Sequence, residues 1–469
     1  MSQSPAAPAP PQPAPPKPPQ PTEFPPAVKQ TVIWLQNQFT KAYKEVPPPM
    51  PDRFTRREFG YILWPDRPGP PPFVRHRSFE SAEALQRFLA RGAPHSLYYS
   101  TAYYRRPAEL KMLDKQWLGA ELIFDLDADH LADVEKAKAE GHELPLDEQL
   151  RQVKVQFKRL LDEFLFGDFG LGEKDVWITF SGGRGYHAHV VEERLMQLEA
   201  KGRREVVDYI TGKFPVKRGE EEPDLSSILR TASIPVQKFG KQVKSIEQVS
   251  APAADSPGWP GRLTRTVLTL LERNVDESED AAAKKWLRTL PSVGEKRAEE
   301  FLKIWRQGDL RTRLNGGYSN RSWNPNVSQL FGEYRNAGVL AGASSTLVLV
   351  YQEAARHMGL PFAKGETDEP VTADTKRLIR LPGSLHGKSG LRVITLTRSS
   401  LDEFDPLRDA VAFGSDPVRI TPRKDQEATL GGERVAVKAG EPVEVPERHA
   451  VFWLARMGGT IAPPQGKST

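Results

Sequence analysis

Three aspartates follow an apolar run at alternate positions, Asp125, Asp127 and Asp129 in ELIFDLDADH, residues 121–130. Successive side chains of a strand point to opposite faces, so Asp125 and Asp127 are predicted to point the same way, with Leu126 buried behind them. Two neighbouring carboxylates repel each other unless a cation lies between them. Their oxygen atoms suit Mg²⁺ or Mn²⁺, and a pair of such ions supports phosphoryl transfer. The alternative at this point is a strand that ends at the surface.

A glycine-rich segment, FSGGRGYHAHV at residues 180–190, supplies groups that bind phosphate. Its glycines let backbone N–H groups approach an anion, Arg184 can donate two parallel hydrogen bonds to phosphate oxygens, Ser181 offers a hydroxyl, and His187 begins the next strand. GRGYHA also matches the dinucleotide pattern G-x-G-x-x-A. That pattern requires a helix after the loop, whereas YHAHVV alternates like a strand, so we reject it. His189 shares the face of His187, and its simpler interpretation is a packed strand histidine.

A third segment, RLIRLPGSLHGKSG at residues 377–390, combines the end of a strand with a Pro-Gly turn. It carries three candidate phosphate ligands, Arg380, His386 and Lys388. A surface hairpin with solvated charges is the alternative for this segment taken alone.

Two acids upstream of the third segment, Asp368 and Asp374, are candidates for a further metal ligand beside Asp125 and Asp127. Each of the three motifs is weak alone, whereas their combination is specific. Together they predict a site for a nucleoside triphosphate and its metal ions.

The composition limits the class of protein. The chain has 469 residues, of which 38% are apolar and 27% charged, as in ordinary globular proteins. It contains no cysteine, which excludes disulfides, thiol catalysis, iron–sulfur clusters and cysteine-bound zinc. The formal charge of +5 permits a polyanionic partner without requiring one. No apolar run reaches the roughly 20 residues of a membrane span and no signal-peptide core is present, which predicts a cytoplasmic protein.

The pattern of elements predicts an α/β (α+β) fold with few strands of mixed direction. Strands are predicted at 56–64 and 71–79, in ELIFDLD and on both sides of the glycine loop, and helices at 28–44 and roughly 146–166. Changes in composition divide the chain into a Pro-rich disordered tail (1–27), a first part of the core (28–212), a mostly helical insertion (213–345), a second part of the core (346–412) and a strand-rich tail that includes VFWLARMG (413–469).

The motifs FDLDADH, SGGRGYHAHV and RLIRLPGSLHGKSGL resemble those of the small catalytic subunit of the archaeal/eukaryotic-type DNA primase, the archaeal form more closely. REFGYILW, VRHRSF and YYSTAYY before the acids, and LDEFDPLRDAVAF after the third segment, fit the same family. The resemblance covers roughly residues 28–460. It implies the primase fold, a mixed-sheet catalytic core with a helical insertion lobe.

The resemblance also implies roles for individual residues. Asp125 and Asp127 match the paired metal-binding aspartates of the family, and Asp368 matches the third, with Asp374 as the runner-up. Glu58, in REF, matches an acidic residue of the family's active site. The nucleotide-binding positions of the family match Ser181, Arg184, His187, Arg380, His386 and Lys388.

The function implied is the synthesis of short RNA primers on single-stranded DNA during replication. The substrates would be ribonucleoside triphosphates, the cofactor Mg²⁺ or Mn²⁺, and the partner a primase large subunit; the enzyme would act at the nucleoid. Many relatives carry a cysteine/histidine zinc site between the acids and the glycine loop. Here His130 and His142 alone do not make a four-ligand cage, so we expect the zinc site to be absent.

Two other functions remain open at this stage. One is a repair-type primase-polymerase of the same superfamily, which would prefer deoxynucleotides. The other is a catalytically silent subunit that binds nucleic acid. A preference for deoxynucleotides and for broken ends would favour the first, and a metal-dependent incorporation assay would decide the second.

Overall fold

The computed structural model describes residues 23–212, 225–237, 243–315, 337–357 and 369–462. The helices of these residues are α1 (Pro26–Glu45), α2 (Ala82–Arg91), α3 (Ala132–Ala139), α4 (Leu146–Arg159), α5 (Glu193–Met196), α6 (Ala200–Thr211), α7 (Gly258–Leu271), α8 (Asp280–Leu287), α9 (Glu295–Arg306), α10 (Asp309–Leu314), α11 (Ala337–His357), α12 (Glu369–Ala373), α13 (Arg398–Glu403), α14 (Pro406–Asp409) and α15 (Glu447–Leu454). Helices α4 and α7 continue as π-helical turns over Leu160–Asp168 and Glu272–Asp276.

The strands of the described residues are β1 (Phe59–Ile62), β2 (Phe73–Arg77), β3 (Ser96–Ser100), β4 (Ala102–Tyr104), β5 (Trp117–Ala120), β6 (Leu122–Asp127), β7 (Val176–Phe180), β8 (Gly185–Val190), β9 (Arg230–Gln237), β10 (Val243–Ser250), β11 (Leu378–Arg380), β12 (Ile394–Leu396), β13 (Pro417–Pro422), β14 (Gln426–Leu430), β15 (Glu433–Val437), β16 (Val443–Pro446) and β17 (Gly459–Ile461).

One four-stranded sheet, in the order β12-β7-β8-β6, has an apolar face and a polar face. On β6, Leu122, Phe124 and Leu126 are buried against α4 and its π-helical continuation. Because side chains alternate along a strand, Asp125 and Asp127 point to the opposite face. The corresponding apolar side chains of β7 and β8 join the same core, so α4 and its continuation cover this face of the sheet.

A second four-stranded sheet, in the order β11-β3-β1-β2, packs into a different core with α1 and α2. Residues near the end of the chain complete that core, since Ile420 on β13 and Trp453 on α15 are buried in it. Strand β17 also contacts α1 through a hydrogen bond from the backbone N–H of Ile461 to the hydroxyl of Thr31. The two ends of the described chain therefore pack together.

The helices between β10 and residue 357 have a core of their own. Leu263 on α7, Leu287 on α8, Trp305 on α9 and Tyr351 on α11 are buried in one hydrophobic cluster. A long hairpin, β9–β10, contacts this lobe through α11. The lobe is thus built mainly of helices packed on each other, with one two-stranded sheet at its side.

The α+β fold class is confirmed, and three details differ from the prediction. First, every strand pairing in the described ranges is antiparallel, whereas mixed directions were expected. Second, VFWLARMG forms the end of α15 and the turn after it, because a short apolar run fits a buried helix as well as a strand. Third, the predicted boundary at residue 345 falls inside α11, whose buried face belongs to the lobe core.

Within the described ranges, no helix combines the length and the apolar character that crossing a membrane requires.

Candidate active site

The two predicted metal-binding acids lie at the end of β6 on the open face of the sheet. The side chain of Asp125 is 27% exposed and that of Asp127 is 40% exposed. In the antiparallel register, Asp125 is opposite His187 and Asp127 is opposite Gly185. The ring nitrogen Nε2 of His187 lies 3.5 Å from Oδ1 of Asp125. The acids and the glycine loop thus meet because β6 and β8 are neighbouring strands.

The glycine loop between β7 and β8 is held closed by Ser181. Its buried hydroxyl oxygen accepts hydrogen bonds of 3.2 Å from the backbone N–H groups of Gly183 and Gly185. Two N–H groups expected to face an anion are therefore used inside the loop, and Ser181 keeps only its hydroxyl hydrogen to donate. Gly185 is required for the close approach to β6, since a Cβ there would lie 2.2 Å from the carbonyl oxygen of Leu126.

The third segment docks directly on this loop. His386 is buried beside Gly182, where an added Cβ would lie 2.8 Å from the Cβ of His386. Ser389 donates a 2.5 Å hydrogen bond to the carbonyl oxygen of Gly182, and its hydroxyl lies 3.0 Å from Nδ1 of His386. Lys388, between them in sequence, is exposed. Two predicted nucleotide-binding motifs that are about 200 residues apart thus form one surface.

Positive charge gathers around the buried histidines of this surface. Burial, followed by the charges of Arg380 and Arg456, lowers the pKa of His386 well below its ordinary value. Burial also lowers the pKa of His187, with help from His189, Arg380 and Arg377. Both imidazoles are therefore neutral at physiological pH, and the positive charge of the surface comes from its arginine and lysine side chains.

Arg184 pairs with the acids at the end of β6. Its guanidinium makes a hydrogen-bonded ion pair with Asp129, and its Nε lies 3.9 Å from Oδ1 of Asp127. Lys138 also contacts Asp129, with 2.6 Å between Nζ and Oδ1. Asp127 in turn accepts the backbone N–H of Asp129 at 3.0 Å, which fixes the turn after the strand. Arg184, which was predicted to bind phosphate, thus neutralises part of the negative charge of these acids.

The remaining predicted site residues lie in different places. Glu58 is fully buried, and its carboxylate contacts Arg75 at 3.0 Å, Lys115 at 3.4 Å and the backbone N–H of His76 at 3.0 Å. Glu58 is thus the centre of a buried ion cluster rather than an open acid.

The two candidates for the third metal ligand are Asp374 and Asp368. Asp374 is exposed and accepts the backbone N–H of Lys376 at 2.8 Å. Its charge acts on Arg203, whose guanidinium donates to the carbonyl oxygens of Ala120 and Glu121 just before β6. Asp368 lies outside the described residues, although helix α12, which begins at the next residue, contacts β6.

Several residues near the site were missed by sequence reasoning. Thr179 and Glu121 lie on the polar face and connect to His187 and His189. The alternation of the strands could have found Thr179, since it is opposite His187 in the sheet. Arg456 carries no local motif. It follows α15, which lies against the third segment where Val451 is next to Gly390.

Arg456 remains exposed in the turn after α15, although protein surrounds its guanidinium. That surrounding protein and the charge of Arg184 lower the pKa of Arg456 to about 10. Two arginines that repel each other beside an exposed lysine form a surface suited to a polyanion.

An acidic pair beside a loop-built basic surface, on an α+β core, is the arrangement expected of a template-dependent nucleotidyltransferase. Comparison with known proteins agrees. The model of the family described as DNA primase small subunit matches residues 124–398.

Three curated relatives illustrate the likeness, each named DNA primase small subunit PriS. That of Methanothrix thermoacetophila is 36% identical over 433 residues, which are 91% of this chain and 98% of the relative. That of Methanocella arvoryzae is 36% identical over 92% of this chain and 99% of its own length. That of Halorubrum lacusprofundi is 35% identical over 92% and 98% respectively. The chain belongs to the family of DNA primase small subunits, and the resemblance predicted from the motifs is confirmed.

Proposed function

We propose that this chain synthesises short RNA primers on a single-stranded DNA template by metal-dependent nucleotidyl transfer. Family membership gives the class, the catalytic subunit of a DNA primase and hence a DNA-directed nucleotidyltransferase of replication. The mechanism and the roles of individual side chains go beyond that class. The observation that carries the proposal is the pairing of β6 with β8, which puts an acidic pair next to a loop of phosphate-binding type.

Asp125 and Asp127 would hold Mg²⁺ or Mn²⁺. Both side chains fit such an ion. The two carboxylates lie on one face, are partly open to solvent and offer the oxygen donors that hard divalent cations prefer. Within the described ranges, no group of three or more histidine or acidic side chains forms a complete metal site, and Asp368 is our proposed third ligand. When bound, the ions would activate the attacking 3′-hydroxyl and stabilise the charge on the leaving pyrophosphate.

The basic side of the site would bind the triphosphate. Lys388 and Arg456 are exposed, and Arg380 lies close enough to His187 and His386 to lower the pKa of both. Arg184 would exchange its ion pair with Asp129 for a phosphate group, which carries more charge and accepts two parallel hydrogen bonds. The buried Ser181, His187 and His386 would hold the shape of the loop and offer single hydrogen bonds. Their joint effect is to position the α-phosphorus for attack, which converts an encounter into an oriented reaction.

The chain would work with a large subunit, in line with the name small subunit that its relatives carry. We further propose that residues 28–212 and the segment that follows α11 build the catalytic core. The helical lobe, with its own hydrophobic cluster, would be a separate insertion that ends with α11. The C-terminal strands would belong to the core, since they share a cluster with α1.

The test is incorporation of labelled nucleotides on a single-stranded DNA template that carries no primer, with Mg²⁺ or Mn²⁺. Ribonucleotide products a few residues long support the proposal. A preference for deoxynucleotides would favour the repair-type primase-polymerase. No incorporation with either metal, in the presence of the large subunit, would contradict the catalytic role and favour a subunit that only binds nucleic acid. An Asp133→Asn variant, with its change on the exposed acid of α3, is the matched control for removal of a nearby charge.

A further inference from the structure

A row of polar side chains crosses the sheet from Asp125 into the interior. Asp125 on β6, His187 on β8 and Thr179 on β7 are opposite one another in the antiparallel register. Oδ1 of Asp125 lies 3.5 Å from Nε2 of His187, and the hydroxyl of Thr179 lies 3.1 Å from Nδ1 of the same ring. His187 and Thr179 are both buried. The imidazole therefore has one nitrogen toward the proposed metal site and the other toward the protein interior.

The row continues to a fixed anion. The hydroxyl of Thr179 lies 3.4 Å from Nε2 of His189, and Nδ1 of His189 lies 2.9 Å from Oε2 of Glu121. Trp177 stacks on the ring of His189, with 3.7 Å between centroids and 16° between planes. Glu121 is paired with the buried Arg57. The distal end of the row is thus buried, with His189 packed against Trp177 and Glu121 paired with Arg57.

The hydrogen positions follow from what each partner is able to donate. Glu121 is ionised: burial alone would raise its pKa, but the charge of Arg57 and the hydrogen bond from His189 lower it to about 2. An ionised carboxylate only accepts, so Nδ1 of His189 carries a hydrogen. Burial keeps both histidines neutral, which leaves Nε2 of His189 as an acceptor.

Thr179 has one hydroxyl hydrogen and faces two ring nitrogens. The shorter of its two contacts, 3.1 Å against 3.4 Å, goes to Nδ1 of His187. When Thr179 donates to that nitrogen, the hydrogen of the neutral His187 ring is on Nε2, which faces Asp125, and Nε2 of His189 faces the hydroxyl oxygen at 3.4 Å with no hydrogen between them. The opposite tautomer would let Thr179 donate to His189, but it would point a lone pair of His187 at a carboxylate and, in the complex, at phosphate oxygens, which is less favourable than a lone pair facing a neutral hydroxyl oxygen.

We propose that Thr179 is a positioning residue that fixes the Nε2–H tautomer of His187, so that the ring donates toward Asp125 and the incoming triphosphate. This inference rests on the proposed function and deepens it. Thr179 touches neither substrate nor metal and acts only through His187.

The test compares Thr179→Val, which keeps the shape but removes the hydroxyl, with Thr179→Ser, which keeps the hydroxyl. We expect kcat/KM for the nucleotide to fall roughly tenfold in Thr179→Val and to stay within about twofold of the unaltered protein in Thr179→Ser. Thr211→Val is the matched control, because Thr211 is also buried but its hydroxyl bonds only to backbone carbonyls within α6.

A spectroscopic measurement separates this role from a loss of packing. In protein labelled with ¹⁵N-histidine, the ring nitrogens of His187 should report the Nε2–H tautomer in the unaltered chain and in Thr179→Ser, and a mixture in Thr179→Val. Equal kinetics for the valine and serine variants, or an unchanged tautomer in Thr179→Val, would overturn the proposal. Should Thr179→Val fail to fold, Thr179→Ala removes the same hydroxyl and must show the same change. The tautomer is measured without turnover, so an inactive chain would refute the proposed function while still deciding the role of Thr179.

Discussion

Glu121 and Asp125 project from the same side of one strand segment, yet their surroundings are opposite. Glu121, immediately before β6, is 1% exposed, and its carboxylate accepts hydrogen bonds from Arg57 and His189. Asp125, four residues later, is 27% exposed and lies 3.5 Å from His187. Since residues two or four apart share a face of a strand, the backbone treats the two acids alike. The difference comes from what covers each end of the strand.

The comparison shows how one chemical group serves two purposes on one scaffold. A buried carboxylate is tolerated only with a permanent cationic partner, because its desolvation must be offset. A carboxylate at the open end of the strand keeps solvent access, which allows a cation to bind and leave. Burial and partners, rather than residue type, therefore separate the structural acid from the proposed metal ligand.

Asparagine substitutions at the open end should have the largest effect on activity and none on folding. We expect Asp125→Asn and Asp127→Asn each to lower the rate of primer synthesis by at least about 1000-fold, since each removes a proposed metal ligand. Thermal unfolding without metal should occur at the same or a higher temperature, because repulsion between neighbouring carboxylates is relieved. Parallel rate and melting measurements check this, and a variant that still extends primers would refute the metal assignment.

A substitution at the buried end should reverse that pattern. Glu121→Gln leaves Arg57 buried without its anion, so we expect the free energy of unfolding to fall by about 3 kcal/mol. Urea denaturation measures this loss.

The double variant Glu121→Gln, Arg57→Met is the control for this prediction. It removes both charges and should cost less than the sum of the single changes. Additive losses would show that the pair is not coupled.

The sequence was sufficient for the features that depend on local spacing. The alternation of β6 predicted that Asp125 and Asp127 share a face, and the glycine pattern predicted a loop between two strands. These features depend on residues within a dozen positions of one another. No such rule links Arg57 to Glu121, which are 64 residues apart, or brings Arg456 to the loop that carries His386.

The errors in the predicted elements have a related cause. The apolar run of α15 was assigned to a strand, although its residues are buried on nearly all sides, where periodicity does not distinguish helix from strand. The hairpin β9–β10 lies in a segment predicted to be mostly helical, and its pairing is a tertiary feature. The predicted contact of Ser181 with phosphate stays a prediction, and the sequence did not indicate that its hydroxyl oxygen also accepts the N–H groups of Gly183 and Gly185 within the loop.

As the pH is lowered, the fold should lose stability first through the buried histidines near the site and only at lower pH through the buried carboxylate of Glu121. Burial and the charges of Lys388 and Arg380 lower the pKa of His95 to about 4, against about 6.5 when unfolded. Between these values the unfolded chain binds more protons, so stability is complete above pH 6.5 and falls as the pH drops toward 4. The pKa of Glu121, about 2 when folded, extends the loss below pH 4.5.

Urea midpoints from pH 7.5 to 4.5 test the contribution of the histidines, which is the first part of this order. We expect each buried histidine to contribute up to about 1.4 kcal/mol per pH unit within its window. His95→Gln should therefore lower the slope of the free energy of unfolding against pH by an amount that corresponds to at most one bound proton. Arg91→Gln, an exposed change at the end of α2, should leave this slope unchanged. A curve for His95→Gln parallel to that of the unaltered chain would show that His95 is not linked to folding.

Asp129 is partly exposed like the proposed metal ligands but is paired with cations like Glu121, and its substitution should have the smallest effect on activity. It is 28% exposed and pairs with both Arg184 and Lys138. We expect Asp129→Asn to lower KM for the nucleotide about two- to fivefold with little change in kcat, since a half-exposed ion pair worth roughly 0.5–1 kcal/mol no longer competes for Arg184. Arg184→Ala should raise KM about tenfold because a charged phosphate ligand is lost. In that background Asp129→Asn should have no further effect, because the competition it relieves is already gone. A similar drop in KM with or without Arg184 would mean that Asp129 acts through the general negative potential of the acids. Asp129 would then belong with Asp125 and Asp127, whose charges act on the ligand, rather than with the structural acid Glu121.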